Sequence, residues 1–274
     1  IFHMDARNGR MLAVCRPKPF AIGRINVIAA VENDERNANV RVNCARTTRR
    51  LDIDVPAHDR RAVLVCSGPS LRETWPYIVM AKADGADVFS MSISHKFLMD
   101  RNVVPMAQLD CDPREHKVRQ FGEPDPRVAY WLASCVHPSY LDAVSGCDTQ
   151  LWHSYNGEGS IPVVREVDPG QQMVIGGGSV GLRAMSVLYL RGYRNIDIHG
   201  MDCSYAEDGT DHCGVHLGKK LDIIETICGG RVFKSTAVNI AYCNYFFKSQ
   251  RMLKGATFNL YGDGLLANRV KQGL

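Results

Sequence analysis

Residues 63–73 read VLVCSGPSLRE. A buried-looking apolar run meets a turn of small residues, and a polar, helix-like stretch follows. Gly68 lets the backbone turn tightly and lets another group approach closely. Pro69 suits the first turn of a helix, where its missing N–H costs nothing. Ser67 or Ser70 can supply a hydroxyl to the helix start. A helix beginning here aims unpaired amides and a partial positive charge at the end of the strand, an arrangement suited to a phosphate. The same residues also describe a capped tight turn that holds no ligand.

Outward from this turn, short β-rich runs recur: AVLVC (62–66), DVFSMS (87–92), MAQLD (106–110), VAYWLAS (128–134), QLWH (150–153), NIDIHG (195–200) and TFNLYG (257–262). Segments of helical spacing lie between most of them, among them those at SLRETW, SHKFLMDR and SVGLRAMSVLYLRG. Strands alternating with helices predict an α/β, Rossmann-like fold, a mainly parallel sheet with helices on both faces. LDIIETICGGRVFKS (221–235) reads instead as a β-hairpin turning at Gly229-Gly230, followed by a helix that runs to Gly255. Residues 1–56 are irregular in pattern and are expected to be an extension packing on a main nucleotide-binding domain of residues 57–274. In that extension NVIAAVEN is a short strand or helix, and residues 32–50 are partly helical.

The bulk numbers set limits. The 274 residues are 45% hydrophobic and 23% charged, with net charge +4. That is ordinary for a globular chain with a full core. No apolar run is long enough to span a membrane, and the first residues lack the basic and apolar regions of a secretory leader. The arginines at 46, 49, 50, 60 and 61 form a modest basic cluster, more a solvated surface than a nucleic-acid site. The ten cysteines include no CxxC pair, and several sit in apolar runs. They read as reduced thiols of a cytosolic chain.

In open parallel sheets the ligand lies beyond the carboxyl ends of the strands. Polar and small residues collect there: Ser67–Ser70; Ser92, Ser94 and His95; Asp110, Asp112, Arg114 and Glu115; Ser134, His137 and His153; Asp202, Tyr205, His212 and His216; and the 262–264 run, Gly-Asp-Gly. GGGSVGLRAM (176–185) repeats the small-residue turn before a helix, without a Walker lysine. Gly177, Gly178 and Ser179 are therefore read as a second backbone cradle. Asp110 and Asp112, one residue apart on an extended segment, suit a hard divalent ion carried by a nucleotide, or else a turn before Pro113. His212 in a polar loop is a candidate base. The His212/His216 spacing of four suits a metal only on a helix, and Gly214 argues against one.

Taken together, SGPSL (67–71), VPMAQLDCDPRE (104–115), GGGSVGLRAMSVLYLRGYRNIDIHGMDCSY (176–205) and His212 resemble the MptE-like 6-hydroxymethylpterin diphosphokinase domain family. FNLYGDGLL (258–266) resembles the ending of stand-alone, often phage-borne members. The family includes the central domain of bacterial motility accessory factors, and the GPSL turn is similar to the nucleotide turn of bacterial CMP-sugar sialyltransferases. The resemblance covers residues 35–268. It implies a nucleotide-dependent transferase, with Gly68, Pro69, Ser70 and Leu71 as the phosphate turn, Gly177, Gly178 and Ser179 as the second cradle, and Asp110, Asp202 and His212 in catalysis; Ser67 and Ser92, by their place at the strand ends, are read as nucleotide-binding beside them. Where the family often has an Asp after the proline before the third strand, this chain has Met106 after Pro105.

Three functions follow as expectations. The first is Mg-dependent pyrophosphoryl transfer from ATP to a hydroxymethyl, pterin-like acceptor. The second is transfer of a glycosyl group from a CMP- or other nucleotide-activated sugar to a small-molecule or glycan acceptor. The third is a non-catalytic binding protein. The acceptor and the oligomeric state, a homo-oligomer included, are left open.

Overall fold

The computed structural model describes residues 33–218 and 221–273, together with the backbone of two short strands, β1 (Phe2–Met4) and β2 (Met11–Val14). Helix α1 (Asn33–Arg46) follows. It lies within the polar stretch expected to be partly helical. The NVIAAVEN segment falls, apart from Asn33, outside the described residues. The Asn43 side chain is buried and donates to the Ser134 and Val136 carbonyls at 2.9 and 2.8 Å, which ties α1 to the rest of the chain.

The alternating elements then run β3 (His58–Val65), α2 (Leu71–Ala83), β4 (Asp87–Met91), α3 (Ile93–Met99), β5 (Ala107–Asp110), β6 (Ala129–Ala133), α4 (Ser139–Ala143), β7 (Thr149–Ser154), α5 (Ile161–Val167), β8 (Met173–Val174), α6 (Val180–Leu190) and β9 (Tyr193–His199). The hairpin β10 (Ile224–Cys228) and β11 (Arg231–Ser235) precedes α7 (Ala237–Met252), β12 (Thr257–Tyr261) and α8 (Leu265–Lys271). Each strand expected from the pattern is present. Gly229 and Gly230 turn the hairpin with φ of 57° and 79°, the pair of positive values that a two-residue turn requires.

Eight strands form one all-parallel sheet in the order β12-β9-β3-β4-β5-β6-β7-β8. The side chains of β3 alternate between its faces. Val63 and Val65 join Leu71, Ile78 and Leu98 on one side, whereas Ala62 and Leu64 join Leu182, Met185 and Phe246 on the other. Helices therefore cover both faces. From β3 the chain steps outward to β8, and α6 then carries it back to β9, on the other flank of β3. Connections leave β3 and β9 in opposite directions, the topology that in open parallel sheets marks the ligand crevice at the carboxyl ends. A second sheet, β1-β2-β10-β11, contains the hairpin, with β2 parallel to β10.

Candidate nucleotide site at the carboxyl edge

The turn after β3 is closed by the protein itself. The Gly68 amide donates to the Gly200 carbonyl at 2.7 Å, and the Ser70 amide donates to Asp202 Oδ2 at 2.9 Å. The Leu71 and Arg72 amides close back on the Gly68 and Pro69 carbonyls. Ser67 Oγ donates to the Met91 carbonyl at 3.2 Å, and the Ser67 carbonyl accepts from the Cys213 amide at 2.8 Å. The anion at the start of α2 is thus the buried Asp202 carboxylate. A Cβ on Gly68 would land on Asp202 Oδ2, and one on Gly264 would meet the Asp202 backbone. Burial raises the Asp202 carboxyl to about 6, against the pull of its hydrogen bond from Ser70.

The second cradle is not closed in this way by a carboxylate of the described residues, although Gly177 and Gly181 are buried. Ser179 caps α6 by accepting from the Leu182 amide at 3.3 Å. The Gly177 carbonyl accepts from Arg183 Nε at 3.1 Å, and the Gly178 carbonyl accepts from the Tyr242 hydroxyl at 3.1 Å. Among the described residues the Val180 and Gly181 amides meet no acceptor. Gly181 faces the Cys66 and Met91 side chains at the ends of β3 and β4, so this helix start lies at the crevice.

Asp110 ends β5 fully buried. Its Oδ1 accepts from the Cys111 and Asp112 amides at 2.8 and 2.9 Å, and its Oδ2 accepts from the Tyr140 hydroxyl at 3.1 Å. Burial and the Asp112 charge raise its carboxyl to about 6. Asp112 is held by Arg114, at 2.8 and 2.6 Å, with Lys117 Nζ 3.9 Å away. With these oxygens engaged, the pair does not fit a Mg ion held between the two carboxylates. Arg114 and Lys117 instead bring positive charge to this edge. Tyr242 joins them to the α6 start: burial raises its phenol to about 12, and the nearby Asp112 and Arg114 charges also act on it.

The loop after β9 brings Asp211, His212 and His216 together. Asp211 Oδ1 lies 3.0 Å from His212 Nδ1, Asp211 Oδ2 lies 3.1 Å from His216 Nδ1, and the two rings are 4.1 Å apart. Burial lowers both imidazoles, His216 to about 4, and the Lys117 charge adds to the effect. Ser92, directly after β4, holds φ 46° and ψ −127°, a conformation that a non-glycine residue adopts only under constraint.

The family model for 6-hydroxymethylpterin diphosphokinase MptE-like proteins matches residues 36–208. The chain belongs to this MptE-like family. No curated protein matches the chain. Among solved structures, the Maf glycosyltransferase of Magnetospirillum magneticum AMB-1 is similar at TM-score 0.60 and 14% identity, over 88% of this chain and 41% of that one. The chain thus spans less than half the length of that protein, and the likeness is one of fold. A mammalian sialyltransferase, solved in complex with Gal-beta-1-3GalNAc-ortho-nitrophenol, is similar at TM-score 0.41 and 13% identity, over 86% of this chain and 88% of that one.

The MptE-like match spans the first turn, both aspartates, the α6 cradle and Asp202, and it ends before His212. Within it the structure separates what the strand-end pattern groups together. Ser67, Gly68, Pro69, Ser70 and Asp202 form a self-satisfied knot, and Gly177, Gly178 and Ser179 form a helix start that no carboxylate of the described residues closes. His95 and His153 are buried, with Nδ1 atoms bonded to Ser90 and Ser134. Lys117, Tyr242 and Asp211 were not singled out in the sequence; only Asp211, adjacent to His212, carried a local signal. A cavity of about 570 Å³ opens at the opposite, amino-terminal edge, lined by His58, Arg60, Arg127, Trp131 and Arg191. Arg60 and Arg127 there are paired with Asp87 and Asp125, and the strand ends that carry the open amides lie at the other edge. Among the described residues no helix is long and apolar enough to cross a membrane, and no disulfide joins two of the described cysteines.

Proposed function

We propose that the chain is a nucleotide-dependent transferase whose α6 start receives the phosphates of the nucleotide. The observation that carries this reading is the pair of unpartnered amides, Val180 and Gly181, beside the Tyr242–Arg114–Lys117 group. Open amides and the helix dipole favour an anion, and guanidinium and ammonium groups add charge. Membership of the MptE-like family supports a nucleotide co-substrate and, at its finest, pyrophosphoryl transfer from ATP to a hydroxymethyl acceptor. In such transfers positioning and charge neutralisation do most of the catalytic work. Asp110 and Asp202 serve here as positioning residues: Asp110 fixes the turn that presents Asp112 and Arg114, and Asp202 fixes the start of α2.

A second reading, glycosyl transfer from a CMP- or other nucleotide-activated sugar, is favoured by the Asp211–His212 pair. A carboxylate at Nδ1 orients an imidazole so that Nε2 takes a proton from an acceptor hydroxyl, with no metal required. The fold shared with a Maf glycosyltransferase is compatible with this reading. A thermal-shift screen of ATP, ADP, CMP and CDP, each with and without Mg, tests both. Stabilisation by the adenine nucleotides above the cytidine ones supports the first reading, and the reverse order supports the second. No stabilisation by any of them contradicts the transferase proposal.

A further inference from the structure

Asp211, His212 and His216 sit on an irregular loop, so their convergence owes nothing to helical spacing. The loop is fastened at several points. The Cys213 amide donates to the Ser67 carbonyl at 2.8 Å, and Arg72 donates to the His212 carbonyl at 3.1 Å. Gly218 has no side chain, and a Cβ there would strike the His216 ring, so the backbone packs directly against that imidazole. The outcome is that Asp211 presents one oxygen to each Nδ1, at 3.0 and 3.1 Å. The nitrogen and oxygen ligand atoms of the three residues all lie within 4.8 Å of one another. A tetrahedral ion with bonds of about 2.0 Å needs ligand atoms about 3.3 Å apart. The His212 nitrogen is also buried without an aligned hydrogen bond, although the carboxylate is close by. It is a buried ring nitrogen with the Asp211 carboxylate as its polar neighbour. Lys117 lies near both rings, but its ammonium already faces Asp112.

We propose that Asp211, His212 and His216 bind a divalent transition-metal ion of the zinc class. Two imidazoles and one carboxylate are its ordinary donor set, and three protein ligands leave a coordination position for water or an anionic oxygen. Magnesium, which prefers oxygen ligands, is not the expected occupant. The three residues lie beyond residues 36–208, the stretch that the MptE-like family model matches. Coordination through Nδ1 leaves the His212 proton on Nε2. The ion and a His212 general base therefore exclude each other, and the site accords with the first functional reading and not the second.

The full chain, purified with a non-thiol reductant and stripped with chelator, should bind one equivalent of Zn(II) by calorimetry and develop the ligand-field absorption of a nitrogen- and oxygen-ligated Co(II) ion. H212A, H216A and D211N should each weaken binding about tenfold or more while retaining the wild-type circular dichroism spectrum. C213S should bind as the wild type does. Absence of binding overturns the proposal, as does binding that the three variants leave unchanged or a thiolate-to-Co(II) charge-transfer band. Nucleotide stabilisation measured on the stripped protein reads the transferase proposal separately, so either can fail without the other.

Discussion

The Asp202 carboxylate accepts the Ser70 amide at 2.9 Å, across 132 positions of sequence, and so occupies the helix start that a phosphate would otherwise occupy. Gly68, Gly262 and Gly264 crowd this contact, and a Cβ on any of them would meet Ser70 or Asp202 atoms. The small residues of the turn after β3 are there to admit a carboxylate from the end of the neighbouring strand.

Gly68→Ala should therefore destabilise the fold by about 1–3 kcal/mol, the usual cost of overpacking a tight site. Gly170→Ala, where a Cβ meets nothing within 4 Å, should stay within about 0.5 kcal/mol of wild type. Urea denaturation of both variants checks the contrast.

Asp202 should also leave a signature in the pH dependence of stability. Its folded carboxyl titrates at about 6, against an ordinary 3.8. Between those values the folded state holds the proton more tightly than the unfolded state. Its contribution then falls as pH rises, by up to about 3 kcal/mol, and the loss is complete above about 6. Asp202→Asn does not titrate, so the wild-type stability minus that of the variant should decline from pH 4 to pH 7. Denaturation series at several pH values measure this difference, and a rising or flat difference would contradict the raised carboxyl.

Ser92→Gly should relieve the positive φ and stabilise the protein by about 1 kcal/mol. Calorimetric melting tests it. A gain in Tm accompanied by weaker nucleotide binding would mean that the Ser92 hydroxyl serves the ligand.

Arg114→Ala should weaken nucleotide binding about tenfold or more, in keeping with the loss of a charge-assisted contact of about 1.5–3 kcal/mol. It should also destabilise the chain, because Asp112 is left partly buried without its partner. The double variant D112N/R114A should recover stability without recovering affinity. Calorimetric titration with ADP and a parallel melt separate the two effects.

The sheet was legible because its strands are apolar on both faces and bounded by Gly, Pro and Ser, the pattern of parallel strands covered by helices. β8 was not, because two residues carry no periodicity. Gly229-Gly230 announced the hairpin because only glycine accepts both positive φ values at so little cost. At the carboxyl edge, the strand-end rule groups the polar residues but cannot apportion them. SGPS and GGGS look alike as helix starts, and what separates them is whether a distant carboxylate, Asp202, arrives at the amides. Asp110 and Asp112 looked like cation ligands, yet local amides, Tyr140 and Arg114 take up their oxygens. A spacing of four brings His212 and His216 together in regular structure only on a helix, yet an irregular loop fastened by Ser67 and Arg72 achieves the same convergence.

The account rests on the α6 start being where phosphate binds, and a crystal structure of the chain with ADP or CDP tests that most directly. The account predicts a phosphate oxygen within about 3 Å of the Val180 or Gly181 amide, with Arg114 or Lys117 at hydrogen-bond distance. Phosphates seated on the Ser67–Ser70 turn with Asp202 displaced, or in the cavity at the amino-terminal edge, would contradict it.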